Sequence, residues 1–548
     1  MESSTQSSPL SSWSDCFVLK RIRMLVPVGF KTEVKELSKL AGPVIISQFM
    51  AFAVGLVSTI FCGHLGKTEL ASVSLAIAVI NVTGISIGYG LSSACTTLIS
   101  QTFGSGNFLR VGVIMQRAIL ILILACFPCW AILINTEPIL LAVRQEPEVA
   151  RLAQMYVKIF MPALPATFMY SLETKYLQNQ GIIWPQVITG FVVNLLNALI
   201  NYVVLHALKL GVAGSAVANT ISQFAMAGIL YAYIMWRGLH KATWGGWSKE
   251  CMQNWGSFIH LAIPGMVMLC VEWWTYEIGA FLAGLISEVE LGAQSVVYQL
   301  ANIAYMFPIG FSVAGSVRVG NALGAGETEQ AKLSAKMSMF CSGSVSICLA
   351  VLIASLKGHI SYIFTYDEQI RERVADVISF YAPVILLDAI SGATSGIIQG
   401  AGKQRVGAIC NTLGYYGIGF PIGVPLMFAA KLGIKGLWMG LFTCVFLQCS
   451  FLIFYLARMN WNKVTVEAQI RAGMRGSSTD TSPQPDVPGN SHGQTDNMDL
   501  VDTEEEPTVK EELDHRTLVL RRGLALAAML FILAAGIIIN LLITNLVT

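Results

Sequence analysis

The sequence predicts an all-α polytopic membrane protein: two homologous six-helix bundles in a parallel repeat, twelve spans, then a thirteenth C-terminal transmembrane helix. Three observations predict it. The 548 residues are 54% hydrophobic and only 12% charged, with mean hydropathy +0.62, where a soluble domain carries about 25% charged residues. Apolar runs long enough to cross a ~30 Å hydrocarbon core recur along most of the chain. The chain also repeats itself.

Reading apolar runs between Gly, Pro and charge clusters gives spans near 37–62, 70–103, 111–134, 152–177, 186–208 and 211–236 in a first half. A second set follows near 256–286, 291–323, 332–356, 374–399, 405–429 and 433–457, and a last span near 522–546. The repeat sets the halves. L-A-G-P at 40–43 returns as L-A-I-P at 261–264, Gly63 and Glu69 return as Gly284 and Glu290, and Gln178 and Gly181 as Gln399 and Gly402, each 221 residues on. G-S-G at 104–106 returns as G-A-G at 324–326, and K-L-G-V-A-G at 209–214 as K-L-G-I-K-G at 431–436. An even number of spans per half makes the repeat parallel, an arrangement that points to a secondary transporter with its sites between the halves.

The expected organisation is then an N-terminal segment at 1–35, an N-lobe at 36–237, an inter-lobe linker at 238–255 and a C-lobe at 256–458. A disordered linker at 459–516, polar, Pro-containing and acidic, leads to the thirteenth helix at 517–548. Lys and Arg concentrate on one side: Lys20, Arg21 and Arg23 before the first span, Arg237, Lys241 and Lys249 in the inter-lobe linker, and Arg318, Lys403 and Arg405 beyond it. That side is expected to be cytoplasmic, with the C-terminus outside. The N-terminus lacks the layout of a signal peptide.

Several function classes lose support. A net charge of +2 gives no reason to expect nucleic acid as a partner. Most of the twelve cysteines lie inside apolar runs and read as packing thiols, including the pair in C-F-P-C at 126–129, so no metal or cofactor is expected. No HExxH, nucleophile elbow or paired intramembrane Asp motif argues for an enzyme. A lipid flippase of the same architecture would be expected to carry a basic central cavity.

This chain instead places acids in its spans. Glu272 and Glu277, in V-E-W-W-T-Y-E-I-G, lie 8 and 13 residues past Pro264, and Asp388 lies in the tenth span. A carboxylate at a helix centre costs about 2.5–3.5 kcal/mol on insertion scales. No Lys or Arg sits at similar depth in those two spans. One reading is a proton relay that exchanges its proton for a cation; the other is a neutral acid hydrogen-bonded between helices. Glu272 and Glu277 are ~140° apart around a helix, so one cavity can receive both only if the helix stands between two partners. The repeat mates of the three acids are Ala51, Leu56 and Thr167, which assigns proton or cation handling to the second half.

Aromatics accompany the acids. Trp273, Trp274 and Tyr276 flank Glu272, and Tyr298 and Tyr305 share a face of the eighth span. Carboxylates beside ring faces suit weakly hydrated organic cations, although Trp and Tyr are also ordinary packing residues. Asn194, Asn197 and Asn201 form a polar stripe that serves either helix–helix hydrogen bonding or a wet cavity.

The motifs F-C-G-H-L-G-K, A-V-I-N-V-T-G, P-A-L-P-A-T-F, A-T-W-G-G-W-S, E-W-W-T-Y-E, E-L-G-A-Q-S-V-V-Y and S-V-R-V-G-N-A-L-G-A-G together resemble the multidrug and toxin extrusion (MATE) family, vertebrate proton-coupled organic cation exporters in particular. The resemblance covers about 36–463 and the terminal span. It implies export of cytosolic organic cations in exchange for protons, across an apical plasma membrane of kidney or liver cells. Apart from the resemblance, the chain is expected to act as a monomer. The resemblance also implies that Glu272, Glu277 and Asp388 act in transport, that Trp273, Tyr276, Tyr298 and Tyr305 line the cavity, and that Asn81 is a polar first-lobe position of it. Two departures stand out: Gln299 where the vertebrate pattern has Tyr-Glu, and Thr96 where relatives often carry Asp. With Gln299 also counted as a polar cavity residue, the resemblance implies altered pH dependence or substrate range.

Overall fold

The computed structural model describes residues 28–363, 366–473 and 514–547. Among them, 11 helices are long and apolar enough to cross a membrane, and this is a multi-pass membrane protein. The first lobe contains α1 (Phe30–Gly63), α2 (Lys67–Ile80), α3 (Ser86–Gly104), α4 (Phe108–Ile134), α5 (Thr136–Ala142), α6 (Pro147–Phe160), α7 (Leu164–Gln178), α8 (Trp184–Asn201) and α9 (Val212–Arg237). The second contains α10 (Trp255–Ile286), α11 (Glu288–Gly324), α12 (Thr328–Ser355), α13 (Glu368–Ala401), α14 (Gln404–Thr412), α15 (Phe420–Phe428) and α16 (Ile434–Arg458). Two further helices follow, α17 (Trp461–Arg471) and α18 (His515–Val547).

Two expected spans are interrupted. A 3-10 turn at Met161–Ala163, with Pro162 in it, separates α6 from α7, and a π segment at Leu413–Gly419 lies between α14 and α15. Another π segment, Asn81–Ile85, joins α2 to α3 within one continuous span. Such bulges free backbone carbonyls from the regular ladder.

Two boundaries differ from the sequence reading. Residues 30–35, assigned to the N-terminal segment, open α1. Residues 461–471, assigned to the disordered linker, form α17, which Asn460 caps by accepting from the Lys463 amide. An 11-residue helix with little apolar periodicity is not distinguishable from a polar linker by composition. The rest of that linker, 474–513, falls outside the described residues.

The largest buried cluster lies mainly in the first lobe and takes in the start of α10, and a second lies within the second lobe. In the second, Trp438 is fully buried, donates its indole N–H to Gln294 Oε1 at 2.9 Å and meets the Tyr381 ring edge-on at 5.1 Å. Trp438→Ala is expected to cost about 3–5 kcal/mol, read as a lower thermal midpoint of the detergent-solubilised protein. The asparagine stripe resolves as helix–helix hydrogen bonding. Asn194 donates to the Met50 carbonyl at 3.0 Å and Asn197 to the Val54 carbonyl at 3.2 Å, fastening α8 to α1.

The lobes meet reciprocally. A Cβ at Gly104 would collide with the Asn321 backbone, and one at Gly324 with the Gln101 backbone. Both pairs are repeat mates at the same spacing, so the contact is made twice about a pseudo-twofold axis, as in an isologous interface. Gly310 against Ile45 and Gly90 against Met266 repeat the pattern. Small residues let the backbones approach. All four contacts lie toward the end of the molecule that carries the Lys and Arg clusters, here the basic end.

The thirteenth helix, read from the sequence as a peripheral appendage, is mostly exposed but fastened to α4. Asn135 donates to the Gly536 carbonyl at 3.1 Å, and Asn540 donates to the Ile134 carbonyl at 3.0 Å. At its other end Arg522 donates to the Met252 carbonyl at 2.9 Å and lies over the Trp255 ring, tying α18 to the inter-lobe linker.

Candidate functional site

Between the lobes lies a cavity of about 350 Å³. Its first-lobe wall is Gln48, Ala51 and Phe52 of α1 with Asn81 and Val82 of the π segment. Its second-lobe wall is Glu272, Trp273, Tyr276 and Glu277 of α10, a face of α11 from Tyr298 to Ile309, and Asp388 of α13. α3 packs against α10 and α11, whereas α2, the same span beyond the π segment, packs mainly on α1 and α6 of its own lobe. The lobes are therefore joined at the basic end and separated on the other side, where the cavity opens.

The three acids named from the sequence converge here. α10 packs on α3 across the lobe boundary and on α11 and α14 in its own lobe. It stands between partners, so Glu272 and Glu277 both reach the cavity despite their angular separation. Glu272 and Asp388 lie close enough for their charges to interact. Among the described residues no ion pair engages Glu272, Glu277 or Asp388. All three are half-buried.

The rings surround them. Tyr276 and Tyr298 pack at 5.4 Å between centroids. Trp273 meets Tyr89 of the first lobe at 6.3 Å, and Phe49 meets Phe307 at 5.6 Å, so both sides of the inter-lobe joint carry an aromatic contact. Tyr305 lies over Gly392 of α13, where any larger residue would meet its hydroxyl. Asn81, the predicted first-lobe polar position, lines the cavity.

Two predicted cavity residues do not. Trp274 is 37% exposed and points across the lobe boundary, donating its indole N–H to the Val82 carbonyl at 3.0 Å. Gln299 is exposed on α11 and is not among the lining residues. The reason is rotation: neighbours in sequence stand ~100° apart around a helix, so Tyr298 faces in and Gln299 faces away. Thr96 is buried, with its hydroxyl unpartnered, outside the cavity lining. Gln299→Glu adds a carboxyl outside the cavity, so the pH dependence of tracer exchange per inserted transporter is expected to stay unchanged, with the cost of the acid in a span appearing as less inserted protein; rates measured across external pH and normalised to inserted protein check it.

Sequence reasoning missed Gln48, Phe52, Asn302, Met306 and Ile309. A signal existed for three of them. With Tyr298 and Tyr305, the positions 302, 306 and 309 complete a single helical face at three- and four-residue spacing. It also missed Glu173, a first-lobe acid on α7 with a buried, unpartnered Oε2.

The MatE family pattern matches this chain twice, over residues 43–203 and 264–424, with starts 221 residues apart as in the internal repeat. Among relatives, multidrug and toxin extrusion protein 1 of Danio rerio is 61% identical, covering 95% of this chain and 92% of that protein. Multidrug and toxin extrusion protein 2 of Mus musculus is 51% identical over 95% of this chain and 94% of its own length. Protein 1 of Homo sapiens is 49% identical over 98% and 99%. A solved eukaryotic MATE transporter superposes with a TM-score of 0.78 at 28% identity, over 81% of this chain and all of that one. A Vibrio cholerae MATE transporter shares the fold at a TM-score of 0.70 and 15% identity, over 80% of this chain and 100% of that one. With two lobes each matched by the same pattern and near full-length relatives, the chain belongs to the MatE family of multidrug and toxin extrusion transporters.

Proposed function

We propose that this protein is a secondary transporter that exports organic cations in exchange for protons by alternating access. The observation that carries the reading is the cavity between two lobes, walled by aromatic rings and holding three carboxyl groups with no ion-pair partner among the described residues. The names of the relatives support the same substrate class.

The chemistry follows from the wall. Ring faces attract a large cation whose hydration is weak, and a carboxylate in a low-dielectric cavity adds Coulomb attraction that water would screen. When Glu272, Glu277 or Asp388 takes a proton, one negative charge disappears and the hold on the cation weakens. The basic end is cytoplasmic by the positive-inside rule, so the cavity described here faces outward, the state in which a proton enters and a cation leaves. Parting of the lobes at the reciprocal glycine contacts then presents the acids to the cytosol, where a cation replaces the proton. The protein resides in the plasma membrane with its C-terminus outside, and on the apical face in epithelial cells; it acts as a monomer.

The test uses purified protein in liposomes with a small quaternary ammonium tracer and an imposed pH difference. The tracer should accumulate against its gradient in the more acidic compartment, and a protonophore should dissipate the accumulation. Equilibration without accumulation would overturn coupling, and no movement would overturn the substrate class.

A further inference from the structure

At the basic end, the first turn of α1 places Glu33 inside the joint between lobes, only 2% exposed. Its carboxylate accepts Arg318 Nε at 2.8 Å and an Arg318 terminal nitrogen at 2.7 Å, a two-pronged pair. It also accepts Gln330 Nε2 at 2.5 Å and Ser334 Oγ at 2.6 Å. Glu33 belongs to the first lobe and its three partners to the second, on α11 and α12. Leu37, Ala41, Phe311, Ala314 and Met337 close an apolar cluster beside the pair.

The pseudo-twofold axis supplies a comparison within the molecule. At the 220-residue spacing that pairs Gln101 with Asn321 and Gly104 with Gly324, the repeat mate of Arg318 is Leu98, which carries no charge and stands next to Thr97 on the other side of the joint. There the Thr97 hydroxyl donates to the Gln399 carbonyl and accepts from Gln404 Nε2, and Gln101 donates to the Gly400 carbonyl at 3.0 Å and accepts from the Arg471 guanidinium at 3.4 Å. One side of the joint is thus closed by hydrogen bonds to neutral acceptors and the other by a carboxylate–guanidinium ion pair.

An ion pair at this place differs from one inside a lobe. Its partners are brought together only while the basic end is closed. When the lobes separate there, both groups return to water and regain their hydration, so the bond can break without leaving a buried charge. Removing one partner is different: in Glu33→Gln, Arg318, 27% exposed, stays only partly hydrated and without its counter-ion as long as the joint is closed. The closed state is then the one that loses stability, and the population moves toward the open one.

We propose that Glu33 and Arg318 are a latch pair, positioning residues that hold the lobes closed at the basic end and that separate once in each transport cycle. This rests on the alternating-access reading above. It adds which contact must break for the cavity to change sides.

The test reads conformation without substrate. In protein with Cys16 and Cys348 replaced by Ser, one reporter cysteine is placed at Ala314, fully buried in the joint, and another, in a separate variant, at Ala51 in the cavity wall. Labelling rates with a hydrophilic maleimide are measured with and without Glu33→Gln. The latch predicts that Glu33→Gln speeds labelling at Ala314→Cys by about tenfold, the population change that ~1.4 kcal/mol produces, and slows it at Ala51→Cys. The charge exchange Glu33→Arg with Arg318→Glu should restore both rates. Unchanged rates would overturn the latch. Rates rising at both reporters would assign Glu33 a packing role and overturn it equally, as would an exchange that behaves like Glu33→Gln. Normal latch labelling in protein that fails to accumulate tracer would count against the transport reading and leave the latch standing.

Discussion

Glu272→Gln should abolish pH-driven accumulation of a quaternary ammonium tracer while the protein still folds and inserts. Glutamine keeps the volume and hydrogen-bonding reach of the side chain but can neither carry a negative charge nor exchange a proton. Glu272 shares the cavity with Glu277 and lies within electrostatic reach of Asp388, so its loss removes one of three charges from a site with no compensating cation. Tracer binding at neutral pH is expected to weaken by about tenfold, equivalent to ~1.4 kcal/mol. Wild-type accumulation in Glu272→Gln would remove this residue from the mechanism. Glu272→Asp, which keeps the charge, is expected to retain partial activity, a contrast that a purely structural effect would not produce.

The second large effect concerns the joint rather than the cavity. Gly104→Leu places a branched side chain against the Asn321 backbone, where no flexible group can yield. Overpacking of this kind costs about 1–3 kcal/mol, which changes the balance between closed and open forms of the joint by about 5- to 150-fold. Exchange should fall accordingly, with cysteine reporters in the cavity wall becoming less reactive. Gly55→Ala is the control, because nothing lies within 4 Å of the added methyl. Equal rates for the two substitutions would show that close approach of the lobes at Gly104 is not needed for transport.

Much of this architecture is legible in the sequence because a bilayer restricts what a chain can do. Charge is costly there, so Glu272, Glu277 and Asp388 stand out with no structural information, and the repeat of L-A-G-P as L-A-I-P announces two lobes. What was illegible has local causes. Gln299 and Trp274 sit beside genuine cavity residues in sequence, but helical rotation turns them away. Gln48 and Asn302 are neutral, so their presence in a span carries no penalty large enough to notice. Glu33 lies among the basic residues that set orientation, and its partners are some 300 positions away along the chain. The π segment that bares the Val82 carbonyl for Trp274 has no composition of its own.

Proton movement driven by substrate alone is the direct readout of exchange. Proteoliposomes holding a trapped pH indicator, at equal pH inside and out, receive a quaternary ammonium ion on one side. Exchange predicts that protons move opposite to the cation and that Glu272→Gln abolishes the signal. Cation entry with no opposing proton flux in the wild-type protein would mean that this transporter does not couple the two ions.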